Sequence, residues 1–287
     1  MKKTLYFCVA ALLMISLYSC DKVDPPYMVK ITPDTSTTSH VRKILIEDYT
    51  GHNCPYCPGA AVVADSLKSI YGNKVVLLTI HAGTLAYPPC SLGGPYTSIN
   101  FQTTAGTAYD NFFGISAVGN PNGMINRISV GGSQIIGPTS WTSIVSTIVN
   151  NAPDAYIDIT NTYNSGTRAL NIKVKSEFVH DTAGTFKLCV LIKEDNIHSW
   201  QQNNNTAIGA VPIIADYTHH NVLRTDVNGT WGDTLATGVI SAGDTIVKNY
   251  TVPSLNASWV DSNCSVVVFI YDAYSKTIIQ AEEKKIK

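Results

Sequence analysis

The sequence predicts an α/β domain over residues 41–153, followed by an all-β antiparallel sandwich over 154–287. Three observations carry this prediction. Two β-branched apolar runs, Val41–Tyr49 and Lys74–Ile80, flank a stretch of helical periodicity. The tetrapeptide Cys54-Pro55-Tyr56-Cys57 falls between the first run and that helix. From Asp154 onward the apolar period changes to two. A length of 287 residues favours two domains over one. Charged residues make up 14%, well below the roughly 25% of an average chain, while hydrophobic residues make up 45%. A net charge of −1 excludes a basic field for nucleic acid, and this hydrophobicity excludes intrinsic disorder.

The first segment reads as an address. Lys2 and Lys3 precede the apolar stretch 5–17, too short for a membrane span of about 20 residues but suited to a secretory signal. Leu17-Tyr18-Ser19-Cys20 resembles a bacterial lipobox, with Tyr18 departing from the small residue usual there. The expectation is a signal peptide over 1–19, a lipid on Cys20 as membrane anchor, and a tether to residue 40. Cleavage there removes Lys2 and Lys3, leaving 18 basic against 21 acidic side chains, a net of −3. Cys8 is lost and Cys20 carries lipid. Cys54, Cys57, Cys90, Cys189 and Cys264 remain, an odd set that leaves at least one thiol unpaired within the chain.

Beyond the tether, Val41–Tyr49 is a strand with a buried run at Ile44, Leu45 and Ile46. Pro58–Tyr71 is a helix, with Ala60, Val63, Ala64, Leu67 and Ile70 on one face and Gly72 as its C-terminal stop. Lys74–Ile80 closes a βαβ unit with parallel strands. Residues 82–104, rich in Gly, Pro and Ser, form an insertion. A short helix at Thr104–Phe113 and a strand over Met124–Val130 follow. A turn at Gly131-Gly132 leads to a helix over Thr139–Asn150. Alternating strands then run through Leu170–Val174, Phe186–Ile192, Val247–Val252, Val266–Tyr271 and Thr277–Ala281. The polar stretch Ser199–Thr234 reads as a decorated loop.

The chemistry lies in Cys54 and Cys57. Placed at a helix N-terminus, Cys54 feels the positive end of the helix dipole, which favours its thiolate and marks it as nucleophile. The spacing lets Cys57 resolve a mixed disulfide. Asp48 lies near the end of the preceding strand, where a carboxylate can take the proton of Cys57. Glu47 is its neighbour on the opposite strand face, and alternation alone does not say which points inward. Pro55 and Tyr56 sit beside the dithiol. Asn120-Pro121 precedes a strand, where a cis-proline would present the backbone of Asn120 to a substrate strand.

Strand, Cys-Pro-Tyr-Cys, helix, strand, then proline before a strand resembles the thioredoxin fold over about 41–150. The tetrapeptide is typical of glutaredoxins, though the rest of the chain differs from them. The whole chain resembles the "outer membrane protein 28"-related lipoprotein family. The matching residues are Glu47-Asp48-Tyr49-Thr50-Gly51 before Cys54 and Cys57, Gly119-Asn120-Pro121, Thr218-His219-His220-Asn221-Val222-Leu223-Arg224, and Gly229-Thr230-Trp231-Gly232. The resemblance implies an outer-membrane lipoprotein with a thioredoxin-like domain and an Ig-like sandwich.

Two functions follow. One is a lipid-anchored thiol–disulfide oxidoreductase acting on exported protein thiols or disulfides, with no cofactor or metal required. The other is a non-catalytic scaffold binding an envelope protein, with the Cys54–Cys57 disulfide purely structural. His52 and His81 lack ligand spacing for a zinc site. His219-His220 and Arg224 read as surface decoration, and Trp231 as a plug at the sandwich edge. Cys90 reads as a free or locally buried thiol. Cys189 and Cys264 either pair across strands or remain two buried thiols.

Overall fold

β1 (Ile44–Thr50) is buried along its whole length, which explains why its sequence lacks the alternation of a half-exposed strand. The structure, a computed structural model, describes residues 40–96 and 99–287. The expected signal peptide, Cys20 and the tether to residue 39 lie outside the described residues. α1 (Cys57–Tyr71) begins with Pro58 in its first turn and buries Ala60, Ala64 and Leu67, one stripe of its surface. It stops at Gly72, whose φ of 58° a side chain would resist. β2 (Val75–His81) runs parallel to β1, with Ile44 opposite Val75 and Thr50 opposite His81. The βαβ unit is as expected.

α2 (Thr104–Phe113) and α3 (Ile115–Val118) lead to β3 (Asn122–Ile125), which pairs antiparallel with β1. The strand expected over Met124–Val130 is cut short. Asn126 and Arg127 take φ of 46° and 49°, left-handed values that turn the chain out of the sheet. The Asn126 side chain accepts from Leu45 N at 2.7 Å, replacing a backbone partner. α4 (Trp141–Ile148) packs on α1 and buries Trp141 and Val145.

The second half is β throughout. It comprises β4 (Ala155–Asn164), β5 (Ala169–Phe178), β6 (Thr182–Glu194), β7 (Ile197–Gln202), β8 (Ile213–His219), β9 (Val222–Asp226), β10 (Asp233–Ile240), β11 (Thr245–Val252), β12 (Cys264–Asp272) and β13 (Ile278–Lys285). The main sheet runs β13-β12-β6-β9-β2-β1-β3, with β10 also pairing with β6. A three-stranded sheet, β11-β5-β4, covers one face of its second-half strands. The core between them includes Ile157, Ile172, Leu188, Val190 and Val268. On the first-half strands, Ile44, Ile46 and Leu77 face α1 and α4, while Leu45, Tyr49 and Leu78 face the opposite way with Tyr109 of α2. Each such buried side chain contributes about 1.5–3 kcal/mol.

Two expectations change. The halves do not fold as separate layers about residue 153: β9 and β2 join them in one mixed sheet, and residues 40–287 form one compact unit. The stretch 199–234 is not a decorated loop. It contains most of β7 and all of β8 and β9, and buries Trp200, Gln201, Gln202, Asn203 and His219. Gln201 and Gln202 are buried there because their side chains bond to groups of the first half, while Asn203 bonds to backbone carbonyls of its own segment.

Candidate functional site

The chain leaves β1 through Gly51, where an added Cβ would lie 2.4 Å from the Leu85 backbone; only glycine permits that approach. Cys54 N donates back to Gly51 O at 3.0 Å. Cys54 and Cys57 are joined in a disulfide with their Cα atoms 5.4 Å apart. The helix begins at Cys57, so Cys57 holds its first position and Cys54 sits one turn ahead, bonded through Cys57 N to Cys54 O at 3.3 Å. This corrects the expected placement of Cys54 at the helix start.

Both sulfurs are shielded: Cys54 is 0% exposed and Cys57 3%. Two segments form the cover. From the insertion, Leu85 O accepts from Asn53 N at 2.9 Å, and the Asn53 side chain donates to Tyr87 O at 2.7 Å. From β7 and the residues after it, Gln202 N donates to His52 O at 2.8 Å and Asn204 N to Pro55 O at 3.0 Å. The Gln201 amide donates to Gly51 O at 3.0 Å and Cys54 O at 2.9 Å. Nothing in the spacing of Gln201 or Gln202 marks them as partners of a loop so far upstream. Two adjacent glutamines in a β-capable run are the only signal.

The alternative between Asp48 and Glu47 is resolved by the strand's two faces. Asp48 lines a cavity of about 40 Å³ together with Cys57, Asp65, Gln201 and Tyr217. It is 4% exposed and its Oδ1 has no partner. Burial first, and the charge of Asp65 second, raise its pKa to about 7. Glu47 points to the other face and forms a buried bidentate pair with Arg127, at 2.8 and 2.7 Å. Aromatic rings enclose that guanidinium, Tyr109 and Phe269 among them, at 4.8 and 5.0 Å. Glu47 is therefore a structural anchor, a correction to its place among the proton-transfer candidates.

Of the substrate-contact candidates, Tyr56 is 63% exposed, while Pro55 offers its carbonyl to Asn204. The Asn120–Pro121 bond is cis and leads into β3, where Asn122 lies opposite Tyr49 near the dithiol end of β1. Cys90, Cys189 and Cys264 are free and buried, so Cys189 and Cys264 do not pair. Burial raises both of those thiols to about 12, which keeps them unreactive. His219 is buried rather than decorative, and Arg224 sits 3.4 Å from Glu194. Trp231 is partly buried against Tyr109 and Phe112.

Comparison with known proteins adds to this geometry. Residues 106–287 match the family described as outer membrane protein Omp28. The chain belongs to the Omp28 family. Membership places it at the outer membrane, and among the described residues no helix is long and apolar enough to cross a bilayer. The match begins after the dithiol and its helix, so it runs from α2 to the end of the chain and does not include Cys54 or Cys57. No curated protein matches the chain. Among solved structures, HBP35 of Porphyromonas gingivalis is similar at TM-score 0.61 and 15% identity, covering 87% of this chain and 77% of its own. A protein of Agrobacterium tumefaciens is similar at TM-score 0.52 and 12% identity, covering 87% of this Omp28-family chain and 97% of its own. These likenesses concern the fold alone.

Proposed function

We propose that this Omp28-family protein is a lipid-anchored thiol–disulfide oxidoreductase of the envelope, with residues 41–153 as a thioredoxin-like unit and Cys54–Cys57 as its working dithiol. The observation that carries this reading is Asp48. A carboxyl buried without a partner destabilises the fold in its charged form, and here it shares a cavity with the second cysteine. With a pKa near 7 it can accept and return a proton at envelope pH. In the reduced protein, Cys54 thiolate attacks a substrate disulfide and one substrate thiolate leaves. Cys57 gives its proton to Asp48 and attacks the Cys54 sulfur. The Cys54–Cys57 bond forms, and the second substrate thiolate departs. Exported protein thiols and disulfides are the partners, and Tyr56 is an exposed contact for them.

A second reading rests on the burial of Cys54. A disulfide that no solvent reaches serves a binding scaffold as a staple, and exchange then needs the cover over the loop to open. One titration separates the two. The oxidised protein is equilibrated in thiol redox buffers, and Cys54 and Cys57 are read by alkylation and mass spectrometry. A potential between about −120 and −270 mV supports the oxidoreductase; one below about −300 mV means a structural disulfide. In the first case Cys57→Ser accumulates mixed disulfides on Cys54.

A further inference from the structure

Behind the dithiol loop, three histidines from distant parts of the chain converge. His52 comes from that loop, His81 from the end of β2 and His219 from the end of β8. All three are buried, and one nitrogen from each lies within 4.8 Å of the others. Their ring centroids are 4.9 to 5.6 Å apart.

The hydrogen-bond inventory of these rings is incomplete in a way that points to a ligand. A neutral imidazole has one N–H to donate and one lone pair to fill. His81 is 2% exposed, and neither of its ring nitrogens has a partner. The Nε2 of His219 has no partner either. His52 has the opposite fault. Its Nδ1 faces Trp200 O at 2.9 Å and its Nε2 faces Ile99 O at 3.0 Å. A neutral ring can donate to only one carbonyl, so the other contact sets a lone pair against a lone pair. A protein interior rarely leaves so many polar atoms unmatched in one place.

We propose that His52, His81 and His219 form a buried site for a nitrogen-preferring transition-metal cation of the zinc(II) class. Coordination fills the lone pairs on His81 and His219 and relieves the crowded contact of His52. One of the two carbonyls, that of Trp200 or that of Ile99, then holds the remaining ring N–H of His52 from outside, as second partners of ligating histidines commonly do. Three points no more than 4.8 Å apart lie within about 2.8 Å of a common centre, so each ring moves inward by less than about 1 Å to reach the 2.0–2.1 Å of a zinc–imidazole bond. All-imidazole donors suit zinc, copper or nickel and not calcium or magnesium. Arg224, the nearby fixed cation over Phe101, is already engaged by Glu194. The site goes beyond the dithiol reading and does not depend on it.

The test uses the full mature chain, without an added histidine tag and with Cys54–Cys57 oxidised. It is stripped with chelator, dialysed against zinc(II), desalted and assayed by elemental analysis. About one zinc per chain is expected. His81→Phe, which keeps an aromatic ring against Phe101, and His219→Gln should each weaken binding at least about tenfold. His220→Gln and the Cys54→Ser/Cys57→Ser double variant should retain it. Should the histidine variants not fold, cobalt(II) titrated into the wild type decides through the imidazole NMR signals. Paramagnetic shifts of His52, His81 and His219 support the site. Zinc below about a tenth of an equivalent overturns it, as do binding unchanged in both folded variants and shifts confined to exposed His198.

Discussion

Glu47 and Asp48 are neighbours on one buried strand, yet their surroundings have nothing in common. Glu47 meets a guanidinium in two hydrogen bonds, and aromatic rings close around the pair. Asp48 meets a cavity, a cysteine and the distant charge of Asp65. Both carboxyls lie out of water. The first is completed by its fold and the second is left open to do something, so burial alone does not distinguish a structural acid from a chemical one. The partner does.

Breaking the completed side should have the largest effect. Arg127→Ala leaves Glu47 charged and alone, and about 3–5 kcal/mol of stability should be lost in urea unfolding. A loss under about 1 kcal/mol would mean the pair is not buried as described. Asp48→Asn should act in the opposite direction, raising stability at pH 8 by about 2–4 kcal/mol. The sign follows from the proton. The folded carboxyl keeps it up to about pH 7, whereas the unfolded one releases it near 3.8. Stability of the wild type therefore falls as pH rises between those values, and the gain in Asp48→Asn should vanish below about pH 4. If the variant is neutral at both pH values, Asp48 is better solvated than the cavity implies.

Gln201→Ala sharpens the question of access. It removes donors from Gly51 O and Cys54 O and should cost about 1–3 kcal/mol. Alkylation of the reduced cysteines should also become faster, and an unchanged rate would show that Gln201 does not hold the cover. Tyr56→Ala is the smallest change. The ring is exposed, so stability should move by less than about 0.5 kcal/mol. Slower exchange with a peptide disulfide, measured under the same conditions, would mark Tyr56 as a contact.

Local pattern made the β1-α1-β2 unit legible, because its apolar periods are set by neighbours close in sequence. Alternation was enough to separate Glu47 from Asp48 but not to orient them, since Arg127 supplies the orientation from beyond β3. The segment around Gln201 and His219 was illegible for the same kind of reason. Gln201 and Gln202 find their partners in the dithiol loop, and a window along the chain sees polarity without seeing the partner. The mixed sheet was hidden too: β9 adjoins β2 through a single register pair, Thr79 with Val222.

The second segment of the cover over Cys54 is made late. A chain exported from its N-terminus delivers Cys54 and Cys57 to an oxidising compartment before Gln201 and Asn204 have crossed. Oxidation at that stage meets a loop that β7 and the residues after it do not yet cover. Under the oxidoreductase proposal, maturation and use are then different events: oxidation during export needs no gate, whereas each later exchange has to lift one.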